Sequence, residues 1–243
     1  MQNAYTTRPT TDPGHDLADP TVYDLIRQDI ISGQLGPNDR LKVAELAARY
    51  ATSTNPIREA LQQLRGEGLV IIAPNRGARV RPIDEDFVRD IVEIAALLEP
   101  ALTRWFVGIA TDEDIAELER IQDQIEAVNY ADPILHGRLD IQFHLVIYNR
   151  HYNRHAADLW WRHREVLRAI SGNFRAPLSR RLAVMREHRE LIAAIRDQDA
   201  DRAAEVITRH VNGSGRNIIE NMRLTQAPDR IWARTGARPP AGV

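Results

Sequence analysis

The chain has 243 residues, is 43% hydrophobic and carries a formal net charge of −2 at pH 7. It contains no cysteine, which excludes disulfides, thiolate metal ligands and cysteine nucleophiles, and no apolar run approaches the roughly 20 residues of a membrane-spanning helix. Its first twenty residues lack the basic and then apolar pattern of a signal peptide, so we expect a cytoplasmic protein without a membrane partner.

The charges are distributed unevenly along the chain. Eight Lys or Arg and three Glu lie between Arg40 and Arg81, whereas residues 83–222 hold 18 basic and 24 acidic residues. A positive segment suits a polyanion, because neutralising phosphates releases counterions. We therefore predict a disordered arm at 1–17, a DNA-binding domain at 18–82, a helical domain at 83–224 and a disordered tail at 225–243.

The first predicted domain has three short helices followed by a β-hairpin. Apolar residues repeat at three and four positions from Val22 to Ile31, and again around Leu46. A third helix is predicted from Pro56 to about Glu67, because a run of hydroxyl and amide side chains supplies its start. The strands are predicted at Leu69–Ile72 and Ala78–Val80. This order of elements is typical of a winged helix-turn-helix.

The third helix carries side chains suited to DNA on the face opposite its apolar residues. In this motif it enters the major groove, where Asn and Arg read base edges and hydroxyls bind phosphates. The predicted contacts are Ser53, Thr54, Asn55 and Arg58, with Arg76 and Gly77 at the hairpin tip reaching the neighbouring minor groove. The alternative is an ordinary solvated helix face, but the element order and the charge contrast favour DNA.

Four motifs in this region resemble the DNA-binding domain of the GntR family. They are I-S-G-x-L-x-P-x-x-R-L (Ile31–Leu41), P-I-R-E-A-L (Pro56–Leu61), L-x-x-E-G-L-V (Leu64–Val70) and N-R-G-A-x-V (Asn75–Val80). The resemblance implies that Arg40 and Arg58 contact phosphates and that Gly77 lies at the wing tip. Thr54 stands where the family commonly has a guanine-reading Arg, and Ala44 also departs from its pattern, so we expect a different operator sequence.

The second predicted domain is an all-α, six-helix antiparallel bundle, which makes the protein mainly α. Its helices are predicted at 84–108, 112–129, 133–150, 154–172, 178–198 and 200–222. Asp140 and His144 lie four residues apart and share a helix face. His188 and His210 each lie eleven residues, or roughly 16 Å, from a predicted turn near Asp199. In an antiparallel hairpin these two histidines face each other.

These four residues are a plausible site for a divalent metal ion, with Zn²⁺, Ni²⁺, Fe²⁺ and Mn²⁺ all compatible. The alternative is that the histidines only pack in the core of a helical scaffold. His151 and His155 also lie four apart but fall at a predicted turn among polar residues, which argues against a site there. His136, one turn before Asp140, is a candidate to support the metal ligands.

Residues 84–222 resemble the FCD domain of the FadR subfamily. The motifs are L-L-E-P-A (Leu97–Ala101), D-x-x-F-H (Asp140–His144) and E-H-x-x-L-I-x-A-I-x-x-x-D-x-x-x-A (Glu187–Ala203), followed by His210. The resemblance implies a homodimer and a divalent metal bound by Asp140, His144, His188 and His210. Ala95 stands where the family often has an Arg, so the effector may differ.

The combined prediction is a DNA-binding repressor of a metabolic pathway that senses a small carboxylate at a metal site. A metal-dependent enzyme is the competing class. It is disfavoured because the chain has no H-E-x-x-H, no nucleophile elbow and no Gly-rich phosphate loop. Glu187 is the only evident general base, and it adjoins His188 on a helix, where neighbouring side chains point about 100° apart, so we expect it to face away.

Overall fold

The computed structural model describes residues 20–73, 76–172 and 174–235, with the side chains of Ala169 and 226–235 left out of the description. The predicted arm at 1–17 and residues 236–243 of the predicted tail lie outside the described residues. The chain divides between Arg81 and Pro82 into two compact units.

The N-terminal unit is a winged helix-turn-helix, as predicted. Its elements are α1 (Val22–Ile31), β1 (Arg40–Leu41), α2 (Val43–Arg49), α3 (Thr54–Gly66), β2 (Val70–Ala73) and β3 (Gly77–Val80). A capping box between Thr21 and Asp24 begins α1. The strands form an antiparallel sheet in the order β1-β3-β2. Strand β1 was not predicted, because two residues are too few to show a period.

Helix α3 begins two residues earlier than predicted. Ser53 is its N-cap residue, with an extended backbone (φ −79°, ψ 169°), so Pro56 is the third helical residue. The first N–H groups of a helix have no partner within it, and Pro therefore costs no hydrogen bond there. The apolar face of α3, including Ile57 and Leu64, is fully buried and fixes the direction of its opposite face.

The C-terminal unit is a helical bundle, as predicted. Its helices are α4 (Glu85–Val107), α5 (Asp112–Val128), α6 (Pro133–Tyr148), α7 (Arg154–Ser171), α8 (Leu178–Arg196) and α9 (Ala200–Thr235). Side-chain caps begin several of them: Asp84 accepts from the N–H of Phe87, and Asp132 caps α6 ahead of Pro133. Helix α9 extends past Leu224, where the sequence predicts the tail to begin.

Helix α4 packs mainly against α9, α8 packs against both α9 and α5, and α5 packs against α6. Gly215 permits the closest approach, because a Cβ there would lie 2.6 Å from both methyl carbons of Val92. The core of this bundle also buries polar side chains, which are Glu99, Thr103, Gln122, His136, His144, His151, Glu187, His188 and His210. None of the helices in the described part of the chain has the length and apolar character needed to cross a membrane.

Candidate metal centre and nucleic-acid interface

The residues predicted to contact DNA all lie on the surface of the N-terminal unit. They are Arg40, Ser53, Thr54, Asn55, Arg58, Arg76 and Gly77, and each is exposed. Gly77 has a φ of 73°, in the left-handed region where any larger residue is strained. The tight turn at the start of β3 therefore depends on glycine.

The positive charge of this surface is available to a partner. Among the described residues, neither Arg40 nor Arg58 forms an ion pair, whereas Lys42 pairs with Glu45 and Arg49 pairs with Asp29. The Ser53 side chain caps no helix N–H, so its hydroxyl is not committed to α3. An exposed helix N-terminus with unpaired guanidinium groups beside it is a suitable surface for phosphates.

The four predicted metal ligands converge in the interior of the C-terminal unit. Asp140 and His144 come from α6, His188 from α8 and His210 from α9. One ligand atom from each lies within 4.8 Å of all the others, and the three histidines are buried. The midpoint geometry of the α8–α9 hairpin therefore brings the two distant histidines together at the level of the α6 pair.

A hydrogen bond fixes the orientation of His188. Its Nδ1 lies 2.9 Å from Gln122 Oε1, and because an amide oxygen only accepts, Nδ1 carries the proton. Nε2 then presents its lone pair to the cluster, 3.8 Å from Asp140 Oδ1, with no hydrogen-bond partner. Gln122 on α5 was not predicted from the sequence.

His210 is oriented in the same way by Glu187. Its Nδ1 lies 2.9 Å from Glu187 Oε2, and the carboxylate is held in turn by Arg180 Nη1 at 3.1 and 3.0 Å. The expectation that Glu187 faces away from the site is wrong. Helix α9 packs against that side of α8, so both faces of α8 lie inside the bundle. A carboxylate behind a histidine ligand is a common support of metal sites.

Arg180 lies flat against α9 at a glycine. It donates to the carbonyl of His210 at 2.9 Å and to Ser214 Oγ at 2.8 Å. A Cβ on Gly213 would lie 2.5 Å from Arg180 Nη1, so only glycine leaves space for the guanidinium. The position of His210 therefore depends on a chain of contacts that starts at Gly213.

The protonation states of the cluster suit a cation. Burial lowers the pKa of His144 and of His188 well below 6.5, so both imidazoles are neutral. Burial raises the pKa of Asp140, but the Arg164 guanidinium and the neighbouring histidines outweigh it and hold that pKa below its usual range. Both ring nitrogens of His144 are buried without a hydrogen-bond partner. Neutral imidazoles with unused lone pairs and an ionised carboxylate fit a divalent metal.

The remaining predicted candidates lie elsewhere. His136 is buried and stacks on Tyr130, with ring centroids 3.6 Å apart, and supplies no ligand atom to the cluster. His151 packs edge-on against Trp105 and accepts a hydrogen bond from the Asn153 N–H, while His155 is exposed. The second i,i+4 histidine pair thus forms no cluster, in agreement with the sequence analysis.

Two protein-family models match the chain. Residues 19–80 match the model described as bacterial regulatory proteins, gntR family, and residues 90–213 match the FCD domain. Among curated proteins, the chain is 28% identical over 203 residues to the HTH-type transcriptional repressor GlaR of Escherichia coli K12, covering 78% of this chain and 90% of that protein. It is 28% identical over 223 residues to the galactonate operon transcriptional repressor of the same strain, covering 83% and 96%.

Solved structures share the fold. Escherichia coli McbR/YncC superposes with a TM-score of 0.65 at 20% identity and covers 83% of this chain and 96% of its own. Lar of Listeria monocytogenes superposes with a TM-score of 0.62 at 18% identity, covering 82% and 95%. At these identities the likeness concerns the fold alone.

Proposed function

Because the chain belongs to the GntR family of bacterial regulatory proteins and carries an FCD domain, we propose that it is a repressor whose DNA binding responds to a small carboxylate at a metal site. It is a transcriptional regulator and not an enzyme, as its relatives are regulators and repressors. The observation that carries the proposal is the convergence of Asp140, His144, His188 and His210 within 4.8 Å in the interior of the bundle.

The N-terminal unit binds operator DNA through the exposed side of α3 and the hairpin. Arg40 and Arg58 neutralise phosphates, and Ser53 donates to a phosphate oxygen at the helix start. Asn55 reads base edges in the major groove, and Arg76 and Gly77 enter the adjacent minor groove. With Thr54 in place of an Arg, the operator lacks one bidentate guanine contact, worth roughly 1–3 kcal/mol of discrimination.

The C-terminal unit holds a divalent metal ion, and Zn²⁺, Ni²⁺, Fe²⁺ and Mn²⁺ all suit the donor set of three imidazoles and one carboxylate. His188 and His210 each offer Nε2, because Gln122 and Glu187 occupy their Nδ1 positions. When bound, the metal supplies positive charge and open coordination positions for an oxygen ligand. One relative is named as the repressor of the galactonate operon, and galactonate is a carboxylate.

Effector binding changes DNA affinity by linkage. A ligand that prefers one arrangement of the helical unit shifts the population of the arrangements that bind DNA. In a homodimer, two DNA-binding units read half-sites one or two helical turns apart, so a small change in their placement has a large effect on affinity. The protein works in the cytoplasm, where the operator is found.

The test combines metal analysis with DNA binding. We expect about one divalent ion per chain in the purified protein, none in the His144→Ala/His188→Ala variant, and binding of both proteins to a duplex selected from random sequence. A wild-type protein without stoichiometric metal would show that the histidines only pack. A selection that enriches no duplex would contradict the DNA-binding role.

A further inference from the structure

One face of α7 points two nitrogen donors at the proposed metal ligands. Trp160 and Arg164 lie four residues apart, one above the other on the helix. Arg164 Nη2 donates to Asp140 Oδ2, and the Trp160 ring centroid lies 6.4 Å from that of His144. The two residues of α7 thus match the two ligands of α6, turn for turn.

The Trp160 N–H is a buried donor without an acceptor. The residue is 3% exposed, and Nε1 makes no hydrogen bond. It lies near Glu99 and opposes the rise that burial causes in the pKa of that carboxyl, but the geometry of a hydrogen bond is not met. Glu99 accepts instead from the Tyr148 hydroxyl at 3.1 Å. An unsatisfied buried N–H costs about 1–3 kcal/mol, which a ligand oxygen would recover.

Arg164 is a largely buried cation with unused donors. Its side chain is 13% exposed, and Asp140 is the one hydrogen-bond partner it has among the described residues. A guanidinium carries five N–H donors in a planar fork that matches a carboxylate. Indole and guanidinium groups only donate, so the molecule that completes this face must present acceptor oxygens.

The space between α6 and α7 is bridged by side chains rather than closed by backbone contact. The two helices are not among the closely packed pairs of the bundle, whereas α7 packs on α4 and α6 packs on α5. Further buried polar atoms without partners line the same interior, on His136 and His163. A polar interior of this kind indicates a site for a small polar ligand.

We propose that Arg164 and Trp160 are the anion-binding residues of the effector site, and that Arg164 exchanges Asp140 for the effector's carboxylate when Asp140 binds a cation. The inference rests on the proposed function and adds to it the residues that recognise the ligand. In the metal-free protein the guanidinium neutralises Asp140. Once that carboxylate neutralises a divalent ion, the guanidinium and the indole N–H are available to a second carboxylate.

This exchange couples the two ligands. Arg164 competes with the cation for Asp140, so it weakens metal binding while no anion is present. A bound carboxylate satisfies Arg164 and removes that competition. By reciprocity, metal and carboxylate raise each other's affinity by the same factor, and the coupling is lost without the guanidinium.

The first experiment measures metal affinity alone. Metal-free wild type, Arg164→Gln and Arg168→Gln are titrated with Co²⁺ against a chelator, with the visible spectrum as readout. Arg168 is the matched control, because it is exposed one turn further along α7 and pairs with Glu165. We expect Arg164→Gln to bind Co²⁺ several-fold more tightly than the other two. Weaker binding by Arg164→Gln would overturn the proposal, since Arg164 would then be supporting the metal site.

The second experiment measures the anion. The Co²⁺-loaded proteins are titrated with acetate and with acetamide, its uncharged isostere. We expect a saturable spectral change with acetate in wild type and Arg168→Gln, an affinity at least about tenfold lower in Arg164→Gln, and a smaller loss in Trp160→Phe. Acetamide should have little effect. Equal acetate affinity in Arg164→Gln and Arg168→Gln would overturn the inference.

Two further observations keep the test decisive. If Arg164→Gln fails to fold by circular dichroism, Arg164→Lys and Trp160→Phe replace it, and unchanged acetate affinity in both would overturn the inference. If wild type binds no Co²⁺, the proposed function itself fails and the inference fails with it. If wild type binds Co²⁺ and acetate but the variants do not differ, only the inference fails.

Discussion

The two units of this protein use the same ionisable residue types in opposite environments. Arg58 lies exposed on α3 without an ion-pair partner among the described residues, whereas Arg164 is largely buried and bound to Asp140. An exposed guanidinium can meet a polyanion of any sequence, because solvent screens it until contact. A buried guanidinium must have a partner at all times, so it can respond only to an exchange of partners. Burial therefore separates residues that bind from residues that can switch.

The largest expected effect lies in the buried unit. Replacing His188 with Ala removes one of four converging ligands, and we expect Co²⁺ affinity to fall by more than about 100-fold. His155→Ala is the control, because that exposed histidine lies on α7 outside the cluster. DNA binding should survive in both variants. An unchanged metal affinity in His188→Ala would remove the contrast between the units.

A smaller effect is expected from the residues behind His210. Glu187→Gln should lower Co²⁺ affinity about 10- to 100-fold, because the amide is a poorer acceptor for the Nδ1 proton. Gly213→Ala should act in the same direction by displacing Arg180 from α9. Gly137→Ala is its control, since a Cβ there meets nothing within 4 Å. Equal metal affinity in the two glycine variants would show that Arg180 adjusts without moving His210.

The exposed unit should respond more weakly to a single change. Arg58→Ala should lower affinity for a selected duplex about tenfold and reduce the salt dependence by about one phosphate contact. Arg120→Ala, an exposed α5 arginine paired with Glu117, is the control for net charge. Metal content should be the same in both. A gel shift that does not distinguish Arg58→Ala from wild type would refute the assignment of this face.

The smallest effect concerns pH and the metal-free protein. Burial lowers the pKa of His136, so below the unfolded pKa of about 6.5 the unfolded chain binds more protons than the folded one. The stability that this neutral imidazole contributes is present above that value and is lost as the pH falls. Between about pH 7.5 and about pH 5.5, Tm should therefore fall further in wild type than in His136→Phe, which keeps the ring stacked on Tyr130. Identical pH profiles would contradict this.

Much of this arrangement could be predicted from sequence. The helices and the convergence of the four ligands follow from regular repeats of three, four and eleven residues. Gln122, Arg164 and Trp160 could not be found in this way, because their roles arise from contacts between helices distant along the chain. Glu187 was misplaced because a helical-wheel argument assumes one buried face, whereas α8 lies between α5 and α9. The need of a histidine ligand for a carboxylate behind it was the available signal.

The close contact of α4 with α9 at Val92 and Gly215 has a consequence for synthesis of the chain. Helix α4 leaves the ribosome more than a hundred residues before its principal neighbour, so its apolar side stays uncovered until α9 is made. The contacts of the N-terminal unit join residues much closer in sequence, and that unit can fold earlier. A growing polypeptide would hence carry a finished DNA-binding head before its sensor is able to close.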